Sequence, residues 1–528
     1  MGRPISEPLA DIIARQWDVI VIGTGIGGGV AGRALAEAGR SVLFVEMGRA
    51  GVRAEQTGLD IGMADPVARA VRGFWPDPVV AEVNGKAQEF FAPLGSGPGG
   101  SSVFYAATLE RPERHDLDDS PPRAHPTGGW PVSFAAMQPW FDAATAMFAL
   151  HGEPDPLSDI PHPALIPPPP PQPGDAMIIA RLAENGLNPY RLHTALRYLE
   201  GCAECLGHKC PRACKMDGRS AGVEPALATG RAHLLTDCAV THLARDGTRV
   251  TQVFAQKGGA AITLKARHVV LAAGALSSPR LLLASTSEAD PGGIGNANGL
   301  VGRNLMFHLN EIFALWPGRT AGFAGPSKSV GFRDLYFAEN QRLGMVQAMG
   351  VDVGYGEIVH HLRGRVAGSW LRHIPGAMDA TRIPAALGAK LMGQAKVFVG
   401  LLEDLPYAEN RVTHDPDHPA RIAMSYRIAP ELLARRRTFR RLIRRAFRGQ
   451  RTAFLTHRPE PNFGHPCGTL AMGHDPTKSV LDASCRPHGM DNLWVTDASV
   501  FPTSMGVNPS LTIAANALRV AAILTEEA

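Results

Sequence analysis

No run of ~18 consecutive apolar residues occurs in the 528-residue chain, so no segment has the length of a membrane-spanning helix. A large net charge is missing too. The 53 Lys and Arg stand against 49 Asp and Glu, and the resulting +4 gives no basis for a nucleic-acid binder. Seven cysteines are too few to staple a chain of this size with disulfides. Aromatic residues make up only 6%, which argues against a cavity shaped for sterols or long aliphatic alcohols. A secretory signal is not expected either, because Asp11 and Arg15 interrupt the apolar run it needs and no twin-arginine start is present. The expected location is the cytoplasm.

What is present is a globular composition, 45% hydrophobic, in a length that suits two large interleaved domains. Residues 17–48 carry the strongest local pattern. Val19–Ile22 reads as a strand buried on both faces, and Gly23-x-Gly25-x-x-Gly28 follows at once. Val30, Ala31, Ala34, Leu35 and Ala38 then fall at helical spacing, Gly39 ends the helix, and Ser41–Val45 is a second strand closing on Glu46. This is a βαβ unit for a dinucleotide. The glycines allow a tight turn, close approach of a pyrophosphate and close helix packing, while the helix N-terminus faces the phosphate charge. A carboxylate at Glu46 suits a ribose 2′-hydroxyl and disfavours a 2′-phosphate, which argues against NADP without separating FAD from NAD.

A second glycine cluster, Gly95–Ser102, reads either as a surface loop or as a backbone cradle for a large ligand. Phe134–Ala149 reads as an apolar helix. The segment 162–173 is a proline-dense stiff connector, and the shift in composition there sets a domain transition near residue 150. Residues 238–254 read as two strands joined at Asp246-Gly247. Val269–Leu271 reads as a short buried strand, with a short helix opening at Pro279. Nine arginines interleaved with apolar residues over 432–451 predict an amphipathic helix with a solvated basic face. Cys202, Cys205, Cys210 and Cys214 fall in a C-x2-C-x4-C-x3-C pattern that is open to three readings: a zinc or iron–sulfur site, one or two disulfides, or free thiols.

Near the C-terminus, Leu493–Val495 reads as a strand with Asp497-Ala498 at its end. Pro509 then starts a helix with Leu511, Ala515 and Leu518 on one apolar face. Taken alone, Asn508 would be that helix's cap and His465 a structural histidine.

The accumulated pattern resembles the glucose-methanol-choline (GMC) oxidoreductases. The residues that carry the resemblance are the βαβ start with Glu46, GGSS at 99–102, GWPVSFAAMQPWFDAA at 129–144, AAGALSSPRLL at 272–282, VGRNLMFH at 301–308 and the end from His465. It implies an α/β (α+β) fold in which a Rossmann-like FAD-binding domain is interleaved with a substrate domain built on an antiparallel sheet with helices. The expected parts are 1–150, 201–309 and 461–528 for FAD, 151–200 as connector with substrate-domain elements, and 310–460 for the substrate.

By the same resemblance Gly23, Gly25, Ile26, Gly27, Gly28 and Glu46 would hold the ADP half of FAD, and Gly100, Ser101 and Tyr105 would lie along the flavin. Val240 would pair its backbone with the adenine, Asp497 and Ala498 would approach the ribityl and pyrophosphate, and Pro509 would face the pyrimidine edge. His465 and Asn508 would be catalytic. Phe104 stands about where some relatives attach FAD through a histidine, which implies a non-covalent flavin. The implied reaction is oxidation of an alcohol, with oxygen or another electron acceptor as oxidant. A neutral imidazole suits removal of the hydroxyl proton, and an uncharged amide suits the developing alkoxide. A sugar, an aminocyclitol-containing sugar or another polyol is the first substrate expectation. The alternatives are an electron-transferring dehydrogenase with an iron–sulfur cluster at Cys202–Cys214 and a non-catalytic flavin redox sensor.

Overall fold

The computed structural model describes residues 8–527 apart from 52, 54–64, 318–327, most of 351–368 and 394. The glycine turn organises the first sheet. Strand β1 (Gln16–Ile22) leads into helix α1 (Ile26–Glu37) and returns as β2 (Val42–Val45), pairing parallel with Val19 opposite Val42. Ala232–Leu235 extends the sheet on the β2 side, again parallel. On the other side β1 pairs with β3 (Ala260–Leu271), Ile22 opposite Leu271, and the end of β3 also pairs with β4 (Leu493–Val495). Helix α2 (Ser510–Glu527) packs beside α1, so the last residues of the chain complete a layer begun by the first.

Sequence reasoning found only the last quarter of β3, and burial explains why. Residues 269–271 are buried on both faces and give a continuous apolar run, whereas 260–268 alternate between exposed and buried. That first part pairs antiparallel with Arg249–Lys257, which pairs with Cys238–Asp246 across the turn expected at Asp246-Gly247. One strand thus joins a parallel sheet to an antiparallel ribbon.

A second, antiparallel sheet runs in the order 451–454, 309–316, 396–402, 346–348, 330–332, 190–191. Helix Pro430–Ala446 crosses it at Gly400, where a Cβ would stand 2.6 Å from the Phe439 ring and 2.8 Å from Ile443; only glycine lets the helix come this close. The expected amphipathic helix keeps a solvated basic face, with Arg437, Arg441, Arg444 and Arg445 exposed, but three of its arginines turn inward. Arg436 and Arg440 both engage buried Glu311, and Arg435 is buried on Glu431 and the carbonyls of Arg342 and Glu403. Taking Glu311 out of water requires such partners, so these three arginines are structural. The apolar helix in 134–149 ends at Met147, and the proline-dense stretch leads directly into helix Pro173–Glu184. Among the described residues no helix is long and apolar enough to cross a membrane.

Candidate active site

The turn after β1 is built for close approach. Gly23 has φ +94°, a left-handed conformation that glycine adopts without strain. A Cβ on Gly28 would stand 2.1 Å from the Gly23 carbonyl, and one on Gly27 would stand 2.2 Å from that of Thr496, so α1 can sit against both strand ends only with glycine there. Gly25, the residue before α1, has no side-chain cap and open space where its Cβ would be. The uncapped N-terminus of α1 thus has room at Gly25, which fits the pyrophosphate of a dinucleotide.

Glu46 is buried at the end of β2. Its carboxylate accepts the N–H groups of Thr24 (3.2 Å), Gly48 (3.0 Å) and Gly97 (3.0 Å), and the Thr24 hydroxyl. Gly97 belongs to the second glycine cluster, which is a cradle folded over the first rather than a loose surface loop: Gly99 N–H donates to Thr24 O at 3.1 Å. Ser101 is exposed in the short helix Gly100–Phe104, with its hydroxyl accepting from Gly95 N–H at 2.9 Å. The Tyr105 hydroxyl donates to the Met216 carbonyl. Phe104 stacks on Phe74, their ring centres 3.8 Å apart.

Asp497, at the end of β4, accepts Gly274 N–H (2.8 Å), the Ser278 hydroxyl (2.5 Å) and Ser499 N–H (2.8 Å), tying the turn after β3 to Ala498. Val240 lies in the antiparallel ribbon opposite Ala255, next to a register shift in its strand. Pro509 is buried immediately before α2.

His465 is half-buried, and its Nδ1 lies 2.9 Å from Nδ1 of His308, a residue missed as a site residue in the sequence although VGRNLMFH ends on it. The rings meet edge-on, centres 5.1 Å apart at 83°. His308 Nε2 lies 2.9 Å from the Met505 carbonyl, which can only accept, so His308 Nε2 carries a hydrogen. Burial pushes the His308 pKa down to about 4, so the ring is neutral and its Nδ1 accepts. His465 Nδ1–H is then the donor, and His465 Nε2 is left with a lone pair. The tautomers follow from this network. Asn462 Nδ2 lies 3.1 Å from the same His465 nitrogen, but donating there would require a protonated His308, which burial opposes. Burial, then His308 and the cation of Lys328, hold the His465 pKa well below its ordinary 6.5.

Asn508 follows Met505 by three residues and is buried with Oδ1 unpartnered. An oxygen that capped α2 would have an N–H partner, so the capping reading is corrected. The amide is left for a ligand.

The four cysteines stand as two contacting pairs, Cys202 with Cys214 and Cys205 with Cys210. Among the described residues no group of three or more His, Cys, Asp or Glu could hold a metal ion, so their placement lends no support to the metal reading.

A parallel sheet with this glycine turn, joined to an antiparallel sheet that carries His308 to a neutral histidine, defines a dinucleotide-dependent oxidoreductase. The chain belongs to the GMC oxidoreductase family: the N-terminal family model matches residues 18–310 and the C-terminal one 406–517. It is similar to 6'''-hydroxyparomomycin C oxidase of Streptomyces lividus, 28% identical with 96% of this chain and 90% of that one covered. It is also similar to 2-methyl-1,2-propanediol dehydrogenase of Mycolicibacterium austroafricanum, 27% identical with 96% and 94% covered. Among solved structures, formate oxidase shares the fold with a TM-score of 0.68 at 15% identity, covering 97% of this chain and 98% of that one. The chain is an FAD-dependent enzyme that acts on CH–OH groups.

Proposed function

We infer that the protein oxidises a primary or secondary alcohol of a small polyol or sugar to the carbonyl, with His465 and Asn508 as the reacting pair on a non-covalent FAD. The observation that carries this reading is the chain Met505 O, His308, His465, which leaves His465 Nε2 free to take a hydroxyl proton. As the proton leaves, negative charge grows on the substrate oxygen, and the N–H groups of the Asn508 amide nitrogen are suited to donate to it. Bound FAD supplies the hydride acceptor. Gly25, Gly27 and Gly28 would border its pyrophosphate, and Glu46, its oxygens taken by Thr24, Gly48 and Gly97, would order the two glycine turns around it. Asp497 would hold the turn at Gly274 that borders the site. Phe104 has no atom that could bond to the flavin. Two relatives, a 6'''-hydroxyparomomycin C oxidase and a 2-methyl-1,2-propanediol dehydrogenase, agree with a polyol substrate.

Anaerobic rapid-mixing reduction by a panel of polyols tests the reading. His465→Ala, folded and loaded with FAD, should lose at least ~10²-fold in reduction rate, and Asn508→Ala ~10²–10³-fold. The two losses should be less than additive, because both groups act on one oxygen. A near-wild-type rate in His465→Ala removes that residue from the mechanism.

A further inference from the structure

The cysteine loop is a group of nucleophilic side chains that this mechanism leaves unused. Cys210 and Lys209 help line a shallow cleft bounded by Gly97, Pro98, Val103 and Arg219, against the glycine cradle. Just beyond the loop, Lys215 is fully buried and its ammonium is clasped by four carbonyls. Those of Cys205 and His208 belong to the cysteine loop, and those of Val103 and Tyr105 to the segment leading out of the cradle. Movement of the loop is therefore coupled to the segment that leads out of the glycine cradle.

The two sulfurs of the inner pair differ. Burial pushes Cys210 up, but the N–H groups of Lys215 (3.5 Å), Arg212 and Cys214, together with the Cys205 thiol, outweigh it and hold Cys210 below its ordinary value. Burial, then the neighbouring Cys210, raise Cys205 to about 11. Cys210 is the better thiolate, and Cys205, half-exposed and touching it, is the waiting thiol.

We propose that Cys205 and Cys210 are a modification site for hydroperoxides, closing to a disulfide that fastens the loop against the glycine cradle; its link to FAD rests on the proposed function. The Cys210 thiolate attacks one oxygen of the peroxide. An S–O bond forms, the O–O bond breaks, and the departing oxygen takes up a proton. The Cys205 sulfur then gives up its proton and attacks the Cys210 sulfur; the S–S bond forms, the S–O bond breaks and water leaves. Two thiols and one hydrogen peroxide become one disulfide and two waters, with the sulfurs oxidised by two electrons in total and the peroxide reduced by two.

The test uses reduced, FAD-loaded protein treated with one equivalent of hydrogen peroxide, followed by peptide mapping and by the rate of FAD release in mild chaotrope. The expected result is a Cys205–Cys210 crosslinked peptide, and FAD release slowed ~10-fold or more and restored by a phosphine reductant. Cys205→Ser should stop at oxidised Cys210 and show no slowing. Neither readout needs an alcohol substrate, so the proposal can fail while the alcohol reading stands. Four free thiols after treatment, a stable sulfinic acid on Cys210 with Cys205 still free, stoichiometric iron or zinc in the reduced protein, or a disulfide with no change in FAD release would each overturn it.

Discussion

His308→Leu is the variant that most directly probes the site. In the wild type His308 Nδ1 accepts the His465 N–H at 2.9 Å while its own Nε2–H is held by Met505 O. Leucine fills much of the same volume but accepts nothing. Leaving His465 Nδ1–H without a partner costs about 1–3 kcal/mol. The ring escapes that cost by moving its hydrogen to Nε2, where Asn462 can now donate to Nδ1, but this removes the lone pair from the side that would meet the substrate. The reduction rate should therefore fall ~10–100-fold, about 1.4–2.7 kcal/mol at the barrier. That is less than the ~10²–10⁴-fold expected for losing a general base altogether, because the imidazole remains. His308→Asn places an amide oxygen near the former Nδ1 and should recover much of the loss. Stopped-flow flavin bleaching with FAD occupancy matched between variants measures both. A His308→Leu enzyme as fast as wild type, or an Asn variant no better than Leu, would refute the tautomer argument.

The same variant isolates a pH effect. His308 has a folded pKa of about 4, below the ordinary 6.5, so as pH falls from about 6.5 towards 4 only the unfolded chain takes up this proton. Wild type should therefore lose on the order of 3 kcal/mol relative to His308→Leu over that window, measured by denaturant titration at each pH. Acid precipitation should release intact FAD into the supernatant, since Phe104 offers no attachment atom; flavin retained on the polypeptide would point to another residue. Gly28→Ala, whose Cβ would stand 2.1 Å from Gly23 O, should cost about 1–3 kcal/mol and leave the purified protein short of FAD, read from its visible absorbance and melting temperature.

The local patterns were legible because they need no distant partner. A turn that only glycine can make, a helix period and a strand buried on both faces mark β1, α1, β2 and Glu46 from thirty consecutive residues, and Asp246-Gly247 marks its hairpin in the same way. Asp497 at the end of β4 was legible for the same reason, although its bond to Gly274 spans 223 residues and was not. Only the tertiary structure decided what long-range pairing controls. The length of β3 depends on three partner strands. Two arginines of 430–446 meet a glutamate more than a hundred residues away. Glu46 turns out to collect N–H groups from both glycine turns, one of them 51 residues on. His465 was identifiable as a candidate base by type and resemblance, but whether its lone pair sits on the useful nitrogen depends on His308, 157 residues earlier, and on a carbonyl 197 residues beyond that. Residue type is written in the sequence. The position of a proton on a ring is set by the hydrogen-bond partners that folding brings to it.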